Sequence, residues 1–309
     1  MRIVFFGTGD FSTTILRGLV DNGYNVVGVV SQPDKVNGRN NKVTFSSIKK
    51  YCLEKNIPIY QFERLSRDGE ADLKALEPDI FITASFGQII KQNILDIPKL
   101  GTYNVHGSLL PAYRGPAPIQ WAIINGETKT GVTIMRTELG VDTGEMYLKR
   151  EMDILESDTA SSVFDKMAVL GIEALLEFLS KFEYYTQHGE VQDDNLATYY
   201  PMLKKEDSLL DFNKSSKEIV NLIRGREMNA TCYFSYSGMR YKVYFAKVTD
   251  AHGQSGEIIC ADSKRGLVIG TLDGAIEIID FQPEGKQRMQ AKPYMNSNKF
   301  KVGDIIENT

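Results

Sequence analysis

The sequence predicts an α/β fold in two parts, a mostly parallel sheet flanked by helices and then a smaller all-β barrel. Two observations carry that prediction. Over the first half of the chain, apolar runs of strand length alternate with helix-length segments, the pattern of βαβ units. Beyond about residue 206 the apolar runs shorten and crowd together between Gly and Asp turns, the pattern of a small antiparallel barrel. The length of 309 residues exceeds what one hydrophobic core ordinarily serves, which agrees with two domains.

RIVFFG reads as a buried first strand, and residues 10–21 as a helix capped by Asp10 or Ser12. NVVGVVS (25–31) is the second strand. The polar stretch SQPDKVNGRNNKV then forms a long loop before a helix begun by Thr44 or Ser46. IPIYQF, PDIFITASF (78–86) and LGTYNVH (100–106) supply three more strands. A helix near 116–124, a strand at 130–137, an extended segment near 145–152 and a long amphipathic helix over about 158–182 complete a Rossmann-like domain spanning 1–187. Polar residues 188–205 read as a linker. The second domain, 206–309, opens with a helix at 215–224 on which Ile219, Val220, Leu222 and Ile223 share a broad face. The runs ATCYFSYSG, RYKVYFAKV, GEIICADS, GLVIGTLDG and AIEIIDFQ then give five strands for an OB-like barrel.

Composition excludes several classes of function. Hydrophobic residues make up 42% and charged residues 25%, the balance of a soluble globular chain. No apolar run approaches the roughly 20 residues a membrane helix needs, so no membrane partner is expected. The opening MRIVFFGTGDF is apolar for only a few residues before Gly7 and Asp10, which suits a strand and not a signal peptide. Cys52, Cys232 and Cys260 lie far apart without a CxxC, which fits a reducing cytoplasm and gives no zinc pattern. The three histidines, His106, His188 and His252, are also scattered, so no metal is expected.

The net charge of −4 is unevenly spread. Lys35, Arg39, Lys42, Lys49 and Lys50 fall in a stretch without an acid, as do Lys286, Arg288, Lys292, Lys299 and Lys301. Setting those ten cations aside leaves −14 on the remainder. An acidic body with two basic segments suits capture of a polyanion; equally, these are two solvated loops.

Three motifs invite chemistry. GTGDFS at Gly7 offers Gly-x-Gly after the first strand, but Ser12 stands where a further Gly or Ala would complete a dinucleotide fingerprint. Asp34, behind a Pro, is poorly placed for a ribose, so a tight strand-to-helix turn is the better reading. The stretch NVHGSLLPAYRG closes a strand with Asn104 and His106, whose equal parity sends both side chains to one face. An amide donor beside an imidazole could stabilise an oxyanion and manage one proton; by themselves they could also be a turn and a packed His. GVDTGEM adds Asp142 in a Gly-flanked loop, able to fix the tautomer of His106 if the two meet. No Ser or Cys elbow lies beside them, which favours direct attack by a substrate amine over an acyl-enzyme.

NVHGSLLPAYRGPAPIQWAI, TGVTIM and GVDTGEM together closely resemble the folate-dependent formyltransferases, and FQPEGKQRM resembles the branch of that family acting on tRNA. The resemblance begins at MRIVFFGTGDF and covers most of the chain, although IRGREMNATCYF lacks the family's Pro-rich turn and GTGDF its Pro after the Thr. It implies 10-formyltetrahydrofolate as formyl donor, the α-amine of methionine on initiator Met-tRNA as acceptor, and a monomer. It also implies catalysis by Asn104, His106 and Asp142, and donor contacts from Ser108, Leu109, Leu110 and Pro111. Phe86, Gly87, Gln88, Ile89 and Ile90 would meet the pterin with backbone groups. Lys35, Arg39 and Lys42 fall where the family carries a tRNA-contacting insertion, and Lys286 and Arg288 join them as candidate phosphate contacts. Two rivals stay open: a formyltransferase acting on an amino-sugar nucleotide, and a non-catalytic folate-binding module.

Overall fold

The computed structural model describes residues 1–37, 42–228 and 230–306. The chain forms two compact units. One comprises Met1–Pro118, Thr130–Met152 and Phe164–Pro201, the other Ile119–Lys129, Asp153–Val163 and Met202–Thr309. No helix among the described residues is long and apolar enough to cross a membrane.

In chain order the elements begin β1 (Arg2–Gly7), α1 (Asp10–Asp21), β2 (Asn25–Ser31), β3 (Lys35–Asn37), β4 (Lys42–Thr44), α2 (Ser47–Lys55) and β5 (Ile59–Gln61). There follow α3 (Leu65–Asp68), α4 (Glu70–Ala75), β6 (Ile80–Ala84), α5 (Gln92–Leu95), β7 (Thr102–His106) and α6 (Pro118–Ile124). Then come β8 (Lys129–Arg136), β9 (Met146–Asp153), α7 (Ala160–Ser180) and α8 (Phe182–Gln187).

Seven strands form one sheet in the order β5-β2-β1-β6-β7-β8-β9. The pairs from β5 through β7 are parallel, and β8 returns antiparallel to β7. Central strands of a parallel sheet bury both faces, and Ile3, Val4, Phe5 and Phe6 are all fully buried. The chain leaves β1 toward β2 on one side and β6 on the other, so the carboxyl ends of β1, β6 and β7 border the crevice where such sheets hold ligands. Helix α7 backs β7: a Cβ on Gly171 would stand 3.0 Å from Val105, and the Phe178 ring lies 5.0 Å from that of Tyr103.

GTGDF is a tight strand-to-helix turn. A Cβ on Gly7 would stand 2.5 Å from the Ser12 Cβ. Neither Asp10 nor Ser12 caps α1. Gly9 holds that position with no side-chain bond, while Ser12 Oγ donates to Ala84 O (2.6 Å) and accepts from Thr8 N (2.9 Å), fastening the first turn to β6. Ser46 caps α2, accepting from Lys49 N (3.4 Å), and the expected long loop contains the short hairpin β3–β4.

The second unit contains α9 (Ser216–Arg226), β10 (Tyr233–Tyr236), β11 (Met239–Thr249), β12 (Ile258–Asp262), β13 (Gly266–Gly270), β14 (Ala275–Pro283), β15 (Met289–Gln290) and α10 (Ala291–Tyr294). The five expected strands run antiparallel in the order β10-β11-β14-β13-β12, with β15 added on β14. The result is a half-barrel around Phe212, Ile223, Phe234, Tyr241, Ile269 and Phe281. Asp304 links its two edge strands: its carbonyl accepts from Ile258 N (2.9 Å) and its carboxylate from Tyr236 Oη (2.8 Å). Ser215 and Glu218 form a capping box at the start of α9.

Arg224 of α9 is buried, and Nη1 donates to the carbonyls of Leu155 (2.9 Å), Glu156 (3.0 Å) and Asp158 (3.0 Å). Nη2 donates to Asn221 Oδ1 (2.7 Å), and burial holds the guanidinium below its usual range. Arg224→Met removes the donors of three carbonyls at once and is expected to cost on the order of 3 kcal/mol in urea unfolding. A cost below about 1 kcal/mol would show that those carbonyls find water instead.

Candidate active site

Strand β7 delivers two polar side chains to the crevice because its last residues alternate. Tyr103 and Val105 face the α7 side, while Asn104 and His106 share the opposite parity. Asn104 pairs with Thr83 across the parallel ladder, and Thr83 Oγ1 donates to Asn104 Oδ1 (2.9 Å). That bond occupies the amide oxygen and leaves Nδ2 as the group to donate outward. His106, 5% exposed, meets two acceptors: Nε2 lies 3.1 Å from Tyr113 O, and Nδ1 lies 3.5 Å from Asp142 Oδ1. A neutral imidazole donates to only one of these acceptors, and an imidazolium to both.

The loop after β7 is tied down from inside. Ser108 is buried, donating from Oγ to Ala112 O (2.7 Å) while its carbonyl accepts from Thr133 Oγ1 (2.7 Å). Leu110 packs with Met135 and Met146 in a small core cluster, and its N–H donates to Thr133 Oγ1 (3.1 Å). Of the four residues expected to touch a donor, then, the side chains of Ser108 and Leu110 turn inward. Leu109 and Pro111 are partly exposed.

Gly115 ends the loop at φ 113, and a Cβ there would stand 2.3 Å from Tyr200 O. Its N–H donates to Asp142 Oδ2 (2.9 Å), so one carboxylate spans the loop end and the imidazole. Asp142 sits at φ 54, a conformation uncommon for a residue with a side chain. Gln192 holds its backbone, Nε2 donating to Asp142 O (2.8 Å) and Gly144 O (2.8 Å). Gly144 is required by close approach, since a Cβ would fall 2.1 Å from Arg136 O.

The loop after β6 alternates. Ser85, Gly87 and Ile89 are exposed, whereas Phe86 and Ile90 join the core. The Phe86 carbonyl accepts from Gln32 Nε2 (3.0 Å), and Gln88 braces the chain before α3 by donating to Phe62 O (2.9 Å) and accepting from Leu65 N (3.0 Å).

Of the basic residues, Lys35 and Lys42 fall on β3 and β4, and Arg39 lies outside the described residues. Lys49 pairs with Asp34. Lys286 Nζ lies 5.3 Å from the centre of the Tyr294 ring. Arg288 is paired with Asp280 (2.7 Å) and Glu227 (3.8 Å) and covers the Tyr244 ring at 4.2 Å. Lys292 pairs with Glu277 (3.2 Å) and Lys301 with Asp304 (3.9 Å). The second basic segment is acid-free in sequence, yet three of its cations, Arg288, Lys292 and Lys301, have acid partners in space.

Sequence reasoning missed Thr83, Tyr113 O, Thr133 and Gln192. Thr83 could have been found, because it stands near the end of an apolar strand where a hydroxyl needs a reason. Gln192 gave no local signal. Chemically, an amide and an imidazole leave one face of β7, and the imidazole meets a carboxylate. The buried thiols of Cys52 and Cys232, pushed up to about 12 by desolvation, offer no thiolate, and Ser108 Oγ is committed to its own loop.

Residues 1–179 match the formyl transferase family, and residues 202–299 match the formyl transferase C-terminal domain. Methionyl-tRNA formyltransferase of Clostridioides difficile (strain 630) is 42% identical over 310 residues, covering 99% of this chain and 100% of that protein. Among solved structures, HypX from Aquifex aeolicus in complex with tetrahydrofolic acid superposes with a TM-score of 0.67 at 18% identity, over 99% of this chain and 50% of that one. Methionyl-tRNA formyltransferase from Clostridium thermocellum superposes with a TM-score of 0.58 at 19% identity, over 81% of this chain and 94% of that one. Matched end to end at such identity, the chain belongs to the formyl transferase family, among the methionyl-tRNA formyltransferases.

Proposed function

We propose that this enzyme transfers the formyl group of 10-formyltetrahydrofolate to the α-amine of methionine on initiator tRNA, and that Asn104, His106 and Asp142 carry the transfer. The observation that supports this reading best is the convergence of those three side chains at the carboxyl end of β7. The α-amine, with an ordinary pKa of about 8, is partly neutral near pH 7. Its nitrogen lone pair attacks the formyl carbon, and the carbonyl electrons move onto oxygen. Asn104 Nδ2 donates to that oxyanion, and His106 donates beside it, exchanging the Tyr113 carbonyl for the developing charge. Asp142 orients His106 and assists passage of the amine proton to N10 of the folate. The C–N10 bond then breaks, giving formylated amine and tetrahydrofolate.

Leu109, Pro111 and the exposed positions of residues 85–89 line the donor side in this reading. Ser108, Leu110 and Gln88 shape it from beneath. The domain of residues 206–309 holds the acceptor arm, with Lys286 and Arg288 meeting phosphates alongside Lys35, Arg39 and Lys42; such contacts position the substrate without reading its bases. The reaction belongs in the cytoplasm, as three free buried cysteines suit, and the enzyme acts as a monomer without a metal.

The direct test supplies labelled 10-formyltetrahydrofolate with methionyl initiator tRNA, uncharged tRNA or an amino-sugar nucleotide. Formylation of the methionyl-tRNA alone is expected; transfer to the sugar alone would overturn the acceptor assignment. Asp142→Asn is expected to lower kcat by roughly 10²-fold or more while leaving folate binding nearly intact. Equal losses in both would remove Asp142 from the chemistry. Thr83→Val, which frees the Asn104 amide, is expected to lower kcat about 10-fold with folate KM unchanged. Formylation should also weaken steeply with added salt through KM for the tRNA, and a flat salt series would argue against phosphate capture.

A further inference from the structure

Residues 180–201 lie between the two family matches, yet they carry a side chain that touches both loops of the candidate site. Gln192 is buried, at 7% exposure. Its Nε2 donates to Asp142 O and Gly144 O, both at 2.8 Å, and its Oε1 accepts from Arg114 Nε at 2.9 Å. The same segment secures the loop after β7 in two further places. Thr198 O accepts from Arg114 N (2.8 Å), and Thr198 Oγ1 accepts from Tyr113 N (2.8 Å). Arg114 is also bound through Nη2 to Asp194 Oδ1 (2.8 Å).

The chemistry of this contact is specific to an amide. Two donors are needed for two carbonyls and one acceptor for a guanidinium N–H, and a carboxamide offers both from one plane. Asp142 is held at φ 54, a conformation that persists only where the surroundings fix it. Its own carboxylate reaches the Gly115 N–H and His106, so the placement of its backbone sets the approach of Oδ1 to the imidazole. Arg114, Tyr113 and Gly115 belong to the opposite loop, whose Tyr113 carbonyl meets His106 Nε2.

We propose that Gln192 is a positioning residue for formyl transfer, clamping the backbone of Asp142 and Gly144 to Arg114 so that Asp142 and His106 keep their mutual geometry. This rests on the reading of Asp142 as a catalytic residue. The clamp acts on the transition state more than on substrate affinity, because the bonds of Gln192 go to the protein's own loops.

The test is a double-mutant cycle on the full chain, reading kcat and KM for formyl transfer to methionyl initiator tRNA. Gln192→Met keeps the length and removes every hydrogen bond. It is expected to lower kcat by roughly 10²-fold while both KM values stay within about two-fold. In an Asp142→Asn background the same substitution should cost almost nothing further, since its effect passes through Asp142. A wild-type kcat for Gln192→Met overturns the proposal, as does an undiminished loss in the Asp142→Asn background, which would mark a role in folding alone. Should Gln192→Met fail to fold, Gln192→Glu enters the same cycle, retaining the acceptor for Arg114 and deleting both donors. A wild-type rate for that variant overturns the clamp equally. If Asp142→Asn itself is fully active, the assignment of Asp142 fails and the clamp fails with it; a slow Asp142→Asn beside a fast Gln192→Met leaves that assignment standing and removes Gln192 alone.

Discussion

The carboxylate of Asp142 bridges an imidazole and a backbone N–H, and much of the first unit exists to hold it between them. A carboxylate at 17% exposure, on a residue at positive φ, would relax toward water if its loop were free. Three constraints prevent this. Gly144 lets the loop lie directly against Arg136, Gly115 lets the facing loop lie directly against Tyr200, and Gln192 joins the two. Side chains on β7 are fixed by the sheet, so the accuracy of the His106–Asp142 contact depends on how well the loops are fastened.

The same logic explains the inward turn of residues that looked like ligand contacts. A buried loop must satisfy its own polar groups and bury its own apolar ones. Ser108 and Thr133 do the first, Leu110 with Met135 and Met146 the second. Leu109 and Pro111 on one loop and Ser85, Gly87 and Ile89 on the other keep exposed surface.

The fold was legible because its signals are local. Buried strands such as Ile3–Phe6, the helix period of 160–180 and the Gly and Asp turns after 230 each declare themselves within a window of a few residues. Parity placed Asn104 and His106 on one face of β7, as the structure has them, while their grouping with Asp142 came from the family resemblance. The cap of α1 was not, because Ser12 found a stronger use as a bond to Ala84 O on a strand 72 residues away. Gln192 was illegible for the same reason: its partners are the carbonyls of Asp142 and Gly144 and the guanidinium of Arg114, and no periodicity marks such a contact.

Charge shows most sharply why sequence neighbours mislead. Residues 285–302 hold five cations and no acid, yet antiparallel pairing sets Arg288 beside Asp280 and brings Glu277 against both Lys247 and Lys292. In these pairs the carboxylates are largely buried, Glu277 at 7% and Asp280 at 16% exposure, while the cations that neutralise them stay about half exposed. Arg288, Lys292 and Lys301 of this segment thus stand at the surface already paired with carboxylates. Lys286 instead lies over the Tyr294 ring, its charge set against an aromatic face. Under the proposed function, Arg288 would share Asp280 and Glu227 with a phosphate rather than meet it unpaired. Contacts of that kind are individually weak, which in that reading suits release of the substrate after a single transfer.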